Sequence, residues 1–260
     1  MRVTYRWHGG SRAYWGRRWS QIPADTGGLN VERYPGRYAE AIMRRVDGEV
    51  LEAGCGAGRV LLHYHRLGRR IVGVDYIETA LAKIRRIESS VPLCVADITH
   101  LPVRDGRFAA ILAFGLYHSL EHDIDVALAE TRRALQPGGL LCASVRMDNL
   151  QNRLVDLIAA RNAPKTGAHA FHKLNYTERE FVDLLKAAGF ASEQIEYVEN
   201  MPFFYKFRPL RHRTHRRFDE NRARAEGYRL SWYGRALQRS LIALMPRSFC
   251  NIMVATARAI

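Results

Sequence analysis

The run Val50-Leu51-Glu52-Ala53-Gly54-Cys55-Gly56-Ala57-Gly58-Arg59 concentrates the chemistry-bearing residues of this 260-residue chain. Glycines at alternate positions behind a short apolar stretch let the backbone approach a ligand closely and expose amide donors at a helix start. A dinucleotide fingerprint, GxGxxG, needs glycine at position 59 to seat a pyrophosphate; that position is Arg59. A P-loop is excluded too, because no Gly-Lys-Ser/Thr follows. Glu52, ahead of the first glycine, suits a cationic ligand or a turn that contacts an amino-acid moiety. Cys55, Cys94, Cys142 and Cys250 stand far apart without CxxC or Cys/His ligand spacing, which argues against a disulfide scaffold and against a metal site.

These residues need a frame, and residues 49–146 read as one. Short apolar runs at Val50–Ala53, Ile71–Asp75, Leu93–Ala96, Phe108–Phe114 and Leu140–Val145 read as strands. Between them, helices are expected from Arg59 to about Leu67, from Glu78 to Ile87 and from about Asp123 to Leu135. The last is expected to stop at Pro137-Gly138-Gly139. Strands separated by helices imply right-handed crossovers and a parallel, doubly wound α/β sheet. Beyond 146, Leu150, Leu154, Leu157 and Ile158 mark an amphipathic helix, followed by a polar loop at 163–167. Thr177-Glu178-Arg179-Glu180 is a capping-box sequence opening a helix that ends at Gly189. Ile195–Val198 and Asn251–Thr256 are expected as closing strands, giving a seven-stranded, mostly parallel sheet with helices on both faces.

With these residues in order, the chain resembles the class I S-adenosylmethionine-dependent methyltransferases over about 49–146, and more loosely to 200. Their first motif, E/DxGxGxG, is matched by Glu52, Gly54, Gly56 and Gly58. Asp75, 23 residues after Glu52, stands where the family places an acid on the ribose hydroxyls. Asp97, followed by Leu101-Pro102 and Phe108, stands where an acid meets the adenine amino group. Leu116-Tyr117-His118-Ser119 resembles the Leu-His-His segment after the fourth strand, and Leu135-Gln136-Pro137-Gly138-Gly139-Leu140 resembles the LxPGG turn before the fifth. One departure is Phe108-Ala109, where many members have Phe-Asp.

The resemblance implies S-adenosyl-L-methionine as cofactor, S-adenosyl-L-homocysteine as product, and cofactor contacts from Glu52, Gly54, Cys55, Gly56, Gly58, Asp75, Tyr76, Asp97, Ile98, Phe114 and Tyr117. Phe114-Gly115-Leu116-Tyr117 lacks the prolines of amino-directed nucleic-acid methyltransferases, and no cysteine has the Pro-Cys context of cytosine-C5 enzymes. What remains is O- or C-methylation of a small, amphipathic or lipid- or glycan-type acceptor. His118 is the candidate general base for a hydroxyl, ahead of His122, His169 and His172. Rival readings are an RNA methyltransferase and a catalytically silent cofactor-binding module.

The flanks carry the charge. Of the net +14, residues 51–200 contribute none, with 18 Lys+Arg against 18 Asp+Glu, while residues 201–260 hold 13 against 3. Expected divisions are an N-terminal lid over 1–45, where Tyr14 or Trp15 is placed to face a sulfonium, a core over 46–202, a basic insertion over 203–248 and a closing strand over 249–260. In the insertion Arg208, Arg211, Arg213, Arg216, Arg217, Arg222 and Arg224 interleave with Phe204, Tyr205, Phe207 and Phe218. Leu230, Tyr233, Leu237, Leu241, Leu244 and Met245 then form an apolar stripe, with Arg229, Arg235 and Arg239 off it and Pro246 at its end. Anionic membrane contact or RNA binding would use these features. The N-terminus lacks an apolar signal segment and no apolar run is long enough to span a bilayer, so a cytoplasmic protein, peripheral at most, is expected.

Overall fold

The computed structural model describes residues 1–7, 11–22, 24, 28–162, 168–217 and 227–260; Phe218, Arg222, Arg224 and the loop at 163–167 lie outside them. Among the described residues nine strands form two sheets. The first pairs β1 (Arg2–Trp7) with β7 (His169–Asn175). The second holds β2 (Val50–Ala53), β3 (Ile71–Asp75), β4 (Leu93–Val95), β5 (Phe108–Phe114), β6 (Leu135–Arg146), β8 (Phe190–Val198) and β9 (Ile252–Ala259). Its spatial order is β4-β3-β2-β5-β6-β9-β8, parallel as far as β6 and antiparallel on both sides of β9. Helices α1 (Ser11–Gln21), α2 (Gly36–Met43), α3 (Arg59–Arg66), α4 (Glu78–Ile87), α5 (Ile124–Ala134), α6 (Leu150–Asn162), α7 (Glu178–Ala187), α8 (Trp232–Leu244) and α9 (Pro246–Phe249) complete the frame.

The inner strands are apolar without alternation because helices cover both faces. Side chains of β5 divide between two core layers with the two-residue period of a strand. Ile111 joins Leu51, Leu128, Phe181 and Leu185 on one side. Ala110 and Leu112 join Ile42, Val50, Leu61 and Ile84 on the other. Since β2 lies between β3 and β5, the connections diverge at its carboxyl end, where a crevice for ligands opens in sheets of this kind.

Three expectations change. First, β6 begins at Leu135, directly after α5, because Leu135 already pairs with Phe108 before the register shifts to Ala110 and Leu140. Pro137-Gly138-Gly139 is therefore an irregularity inside the strand. Second, residues 2–7 are a strand, with Arg2 opposite Asn175 and Trp7 opposite His169. Neither β1 nor β7 was expected. Third, α6 buries its polar side: Gln151 and Asn152 are buried while Leu150, Leu157 and Ile158 are exposed. The reason is hydrogen bonding, since Asn152 Nδ2 donates to the carbonyls of Met147 and Asn251, and Gln151 Nε2 to that of Met201. The helix α8 turns Gly234 and Gln238 inward and leaves Trp232, Tyr233, Leu237 and Leu244 exposed, with Met245 exposed just after it, while Leu230 is buried.

The capping box forms as expected. Glu180 N donates to Thr177 Oγ1 at 3.3 Å and Thr177 N to Glu180 Oε2 at 2.9 Å. No helix among the described residues is long and apolar enough to cross a membrane.

Candidate functional site

The glycine turn runs from the end of β2 into α3, and Gly54, Gly56 and Gly58 have φ values of +70°, +52° and +75°. Side chains rarely adopt this left-handed backbone, so glycine is what allows the turn to fold tightly. Glu52 is buried and its Oε2 accepts a hydrogen bond from Leu61 N at 2.8 Å, tying β2 to the first turn of α3. Burial pushes the Glu52 carboxyl up to about 8, against the Leu61 amide and the Arg59 charge, which lower it. Of its two expected roles, organising the turn is the one its contacts show.

Asp75, at the end of β3, accepts from Gly56 N through Oδ2 and from Ile77 N through Oδ1, both at 2.9 Å. Burial raises its carboxyl, and these amides oppose the rise. Each oxygen keeps a further lone pair, enough to receive a ribose hydroxyl. Asp97 follows β4 and is exposed; its Oδ1 accepts from Thr99 N and Thr99 Oγ1, both at 2.9 Å, and an exposed carboxylate retains acceptor capacity for an amino donor. Ile98 is buried beneath it. Three adjacent strand ends thus offer a glycine cradle and two carboxylates, a donor set that fits S-adenosylmethionine.

The cradle has a roof. A Cβ on Gly56 would stand 2.5 Å from the Trp19 indole, so the ring lies directly over the glycine turn. Trp19 stacks on Trp15, ring centroids 5.7 Å apart and planes at 21°. Lys83 Nζ, from α4, donates to the carbonyls of Trp19 and Ser20 at 2.7 Å and of Ile22 at 3.1 Å, holding the end of α1 in place. The aromatic side chain over the cradle is therefore Trp19. Trp15 faces the Lys173 ammonium at 4.5 Å instead, and Tyr14 meets His172 edge-on.

At the ends of β5 and β6, Ser144 Oγ accepts from Gly115 N at 2.9 Å and shares a hydrogen bond with the Tyr34 hydroxyl at 2.8 Å. His118 lies in the short turn Tyr117–Ser119, its Cε1 only 3.4 Å from where a Gly115 Cβ would be. Its Nδ1 is buried with no hydrogen-bond partner among the described residues. Burial pushes the imidazole well below its ordinary range, and Lys173, Arg146 and His172 push it further. A neutral ring with an available lone pair is what a general base requires.

Two expected contacts are corrected. Tyr117 is fully buried in the core and its hydroxyl meets Thr131 Oγ1 at 2.8 Å, because the turn points residue 117 inward and so presents 118 and 119. The Cys55 thiol also packs inward, 3.1 Å from a Cβ built on Gly73, and its amide donates to Val74 O. Tyr76 follows Asp75 under the Arg12 guanidinium at 5.9 Å, and Phe114 is half-buried with its ring edge-on to Tyr34 at 5.9 Å. His122 is exposed, and His169 packs beside Tyr5 and Trp7 on the small sheet. Sequence reasoning missed Lys83, Ser144, Arg146 and Lys173. Nothing local distinguishes them; only the fold brings them to the crevice.

Residues 51–143 match the model of the methyltransferase domain family. A Mycolicibacterium smegmatis protein named "Probable S-adenosylmethionine-dependent methyltransferase" is 30% identical over 173 residues, covering 64% of this chain and 63% of that one. A Nitrobacter winogradskyi ubiquinone biosynthesis O-methyltransferase is 32% identical over 43% of each chain. The chain thus spans less than two thirds of the length of these curated relatives. The crystal structure of a SAM-dependent methyltransferase from Methanosarcina mazei superposes with a TM-score of 0.58 at 18% identity, covering 87% of this chain and 98% of that one. With the strand order, the glycine cradle and the two carboxylates in place, residues 51–143 match a methyltransferase domain, and the chain has the fold of, and is similar to, the S-adenosylmethionine-dependent methyltransferases.

Proposed function

We propose that this protein methylates an oxygen or carbon nucleophile on a small, amphipathic acceptor, with His118 as the base where the nucleophile is a hydroxyl. The observation that carries this reading is the buried His118 in the turn after β5, its Nδ1 without a hydrogen-bond partner among the described residues, beside the strand that carries the glycine cradle. Bound S-adenosylmethionine supplies a methyl group on a sulfonium, an electrophile that needs only an aligned nucleophile. Asp75 and Asp97 would hold the ribose and the base, the glycine turn would let the amino-acid end approach the backbone closely, and Trp19 would shield the cradle from water. The imidazole of His118, which burial holds in its neutral form, would take the hydroxyl proton. The relative named for ubiquinone biosynthesis supports an oxygen acceptor. Calorimetry tests the cofactor half: S-adenosylhomocysteine should bind and NAD should not. Tight NAD binding without S-adenosylhomocysteine binding would remove the reading.

We further propose that the acceptor arrives along an anionic membrane surface. The support is the exposed apolar row on α8, where Trp232 is 80% and Leu244 81% exposed and Arg235 and Arg239 are interspersed. Apolar side chains beside arginines suit the headgroup boundary of an anionic bilayer. The exposed aliphatic side chains of that row, Leu237 and Leu244, favour a lipid face over RNA, for which the arginines and stacking rings alone would be enough.

A further inference from the structure

Above His118 the structure gathers more positive charge than it neutralises. Lys173, in the middle of β7, is 9% exposed. Its ammonium donates to Ser119 Oγ and lies over the Trp15 ring, and among the described residues no carboxylate pairs with it. Arg146, at the end of β6, donates through Nη2 to Asp156 at 2.8 Å, while its Nη1 is buried without a hydrogen-bond partner among the described residues. The nearby acids are already shared. Asp156 receives Arg2 and Arg6 as well as Arg146, and Asp148 receives Arg2 and Arg153. Two carboxylates are thus divided among four arginines, and neither reaches Lys173.

Taking a charge out of water without a partner is costly. A core position that tolerates lysine under these conditions is one whose counter-charge comes with a ligand. The location fixes which ligand. Lys173 is bonded to Ser119, the residue after His118, and packed on Trp15, which stacks on the Trp19 that roofs the glycine cradle. We propose that Lys173, with the free Nη1 of Arg146 behind it, is the anion subsite for the methyl acceptor, and that the acceptor is an organic acid bearing a carboxylate or phosphate. The inference rests on the methyl-transfer reading above and narrows its substrate class. Burial, then Arg18, Arg146 and Arg6, push the Lys173 ammonium well below its usual range; an arriving anion relieves both effects. The same anion, gripped at Lys173, sets the nucleophile at its other end beside His118.

Calorimetry separates the subsite from the methyl-transfer reading on which it rests. Wild-type protein saturated with S-adenosylhomocysteine is titrated with benzoate, octanoate and phenyl phosphate, each against its neutral counterpart benzamide, octanamide or phenol. At least one acid should bind about tenfold or more tightly than its counterpart, the scale of a desolvated charge pair. Lys173→Met should bring that ratio below about twofold and Lys173→Arg should restore it. Binding of S-adenosylhomocysteine, measured in the same variants, should stay within about twofold; its loss in the wild type would instead strike the methyl-transfer reading. If no acid binds better than its neutral counterpart, or if Lys173→Met keeps the preference, the subsite is wrong. Should Lys173→Met fail to fold, Lys173→Gln and the wild-type ratio decide the matter by the same thresholds.

Discussion

Glycine at position 56 is demanded twice, by a φ of +52° and by the Trp19 indole 2.5 Å from any Cβ placed there. Gly56→Val should therefore abolish S-adenosylhomocysteine binding in calorimetry while the protein still melts cooperatively; retained affinity would mean that the cradle is not the cofactor site. For His118, replacement by alanine should lower turnover about 10²-fold or more with cofactor affinity nearly unchanged, whereas a loss below about threefold would remove it from the mechanism. Its pH behaviour has a definite sign. The folded ring resists protonation, so turnover limited by His118 should stay level as pH falls past its ordinary value of 6.5. Stability runs the other way. Below about 6.5 the unfolded chain binds a proton that the folded chain does not, so the melting temperature should drop between pH 7.5 and 5.5, and less steeply in His118→Ala. At this scale the sequence disclosed residues that carry a motif, Glu52, Gly56, Asp75 and His118 among them. It hid Lys173 and Arg146, whose meaning is the partners they lack, and it misplaced Tyr117, because the short turn selects which neighbour faces the crevice.

Elements were legible wherever a face was simple. The inner strands and α4 read directly, since apolar runs or helical spacing leave no other packing. The pairing of β1 with β7 did not, because it joins residues about 170 positions apart and neither strand is strongly apolar. The leucine row of α6 misled for a related reason: buried amides on its opposite face, Gln151 and Asn152, determine which side turns inward. The covering helix α1 depends on one side chain, Lys83, whose ammonium meets three carbonyls at its end. Lys83→Met should loosen α1, seen as faster amide exchange over residues 15–20 and several-fold weaker S-adenosylhomocysteine binding; unchanged exchange would mean that packing of Trp15 and Trp19 alone holds the helix. For α8, charge reversal at Arg235 and Arg239 should weaken binding to vesicles containing phosphatidylserine. The effect should shrink as salt rises, as exposed charges require. Wild-type protein that ignores such vesicles at low salt would end the membrane proposal.

Across the whole molecule, the basic segment leaves and rejoins the catalytic frame at one edge of the sheet. The chain leaves the sheet after β8 and returns at β9, and Val198 lies opposite Ile252 in that antiparallel pair. The ends of the intervening segment also meet, with the Phe203 and Phe249 rings 5.4 Å apart. Within it, Tyr205 and Leu230 form a small apolar cluster of their own, joined by Phe204 and Tyr228 and separate from the two layers beside the sheet. Among the described residues its anchors to the frame include Gln238 to Glu199, Asn149 to the carbonyl of Arg247, and Arg247 to Tyr197 and Glu178. A frame whose strands β2 to β6 pair without this segment does not need it to bind a cofactor at their carboxyl ends. Replacing residues 203–248 by a short Gly/Ser linker should therefore leave a cooperatively folding protein with S-adenosylhomocysteine affinity within about threefold of the wild type. The same variant should lose binding to anionic vesicles. A folded variant that no longer binds the cofactor would show that the segment helps to build the cofactor site. A variant that keeps vesicle binding would move the membrane face elsewhere, leaving the exposed row of α8 without that role.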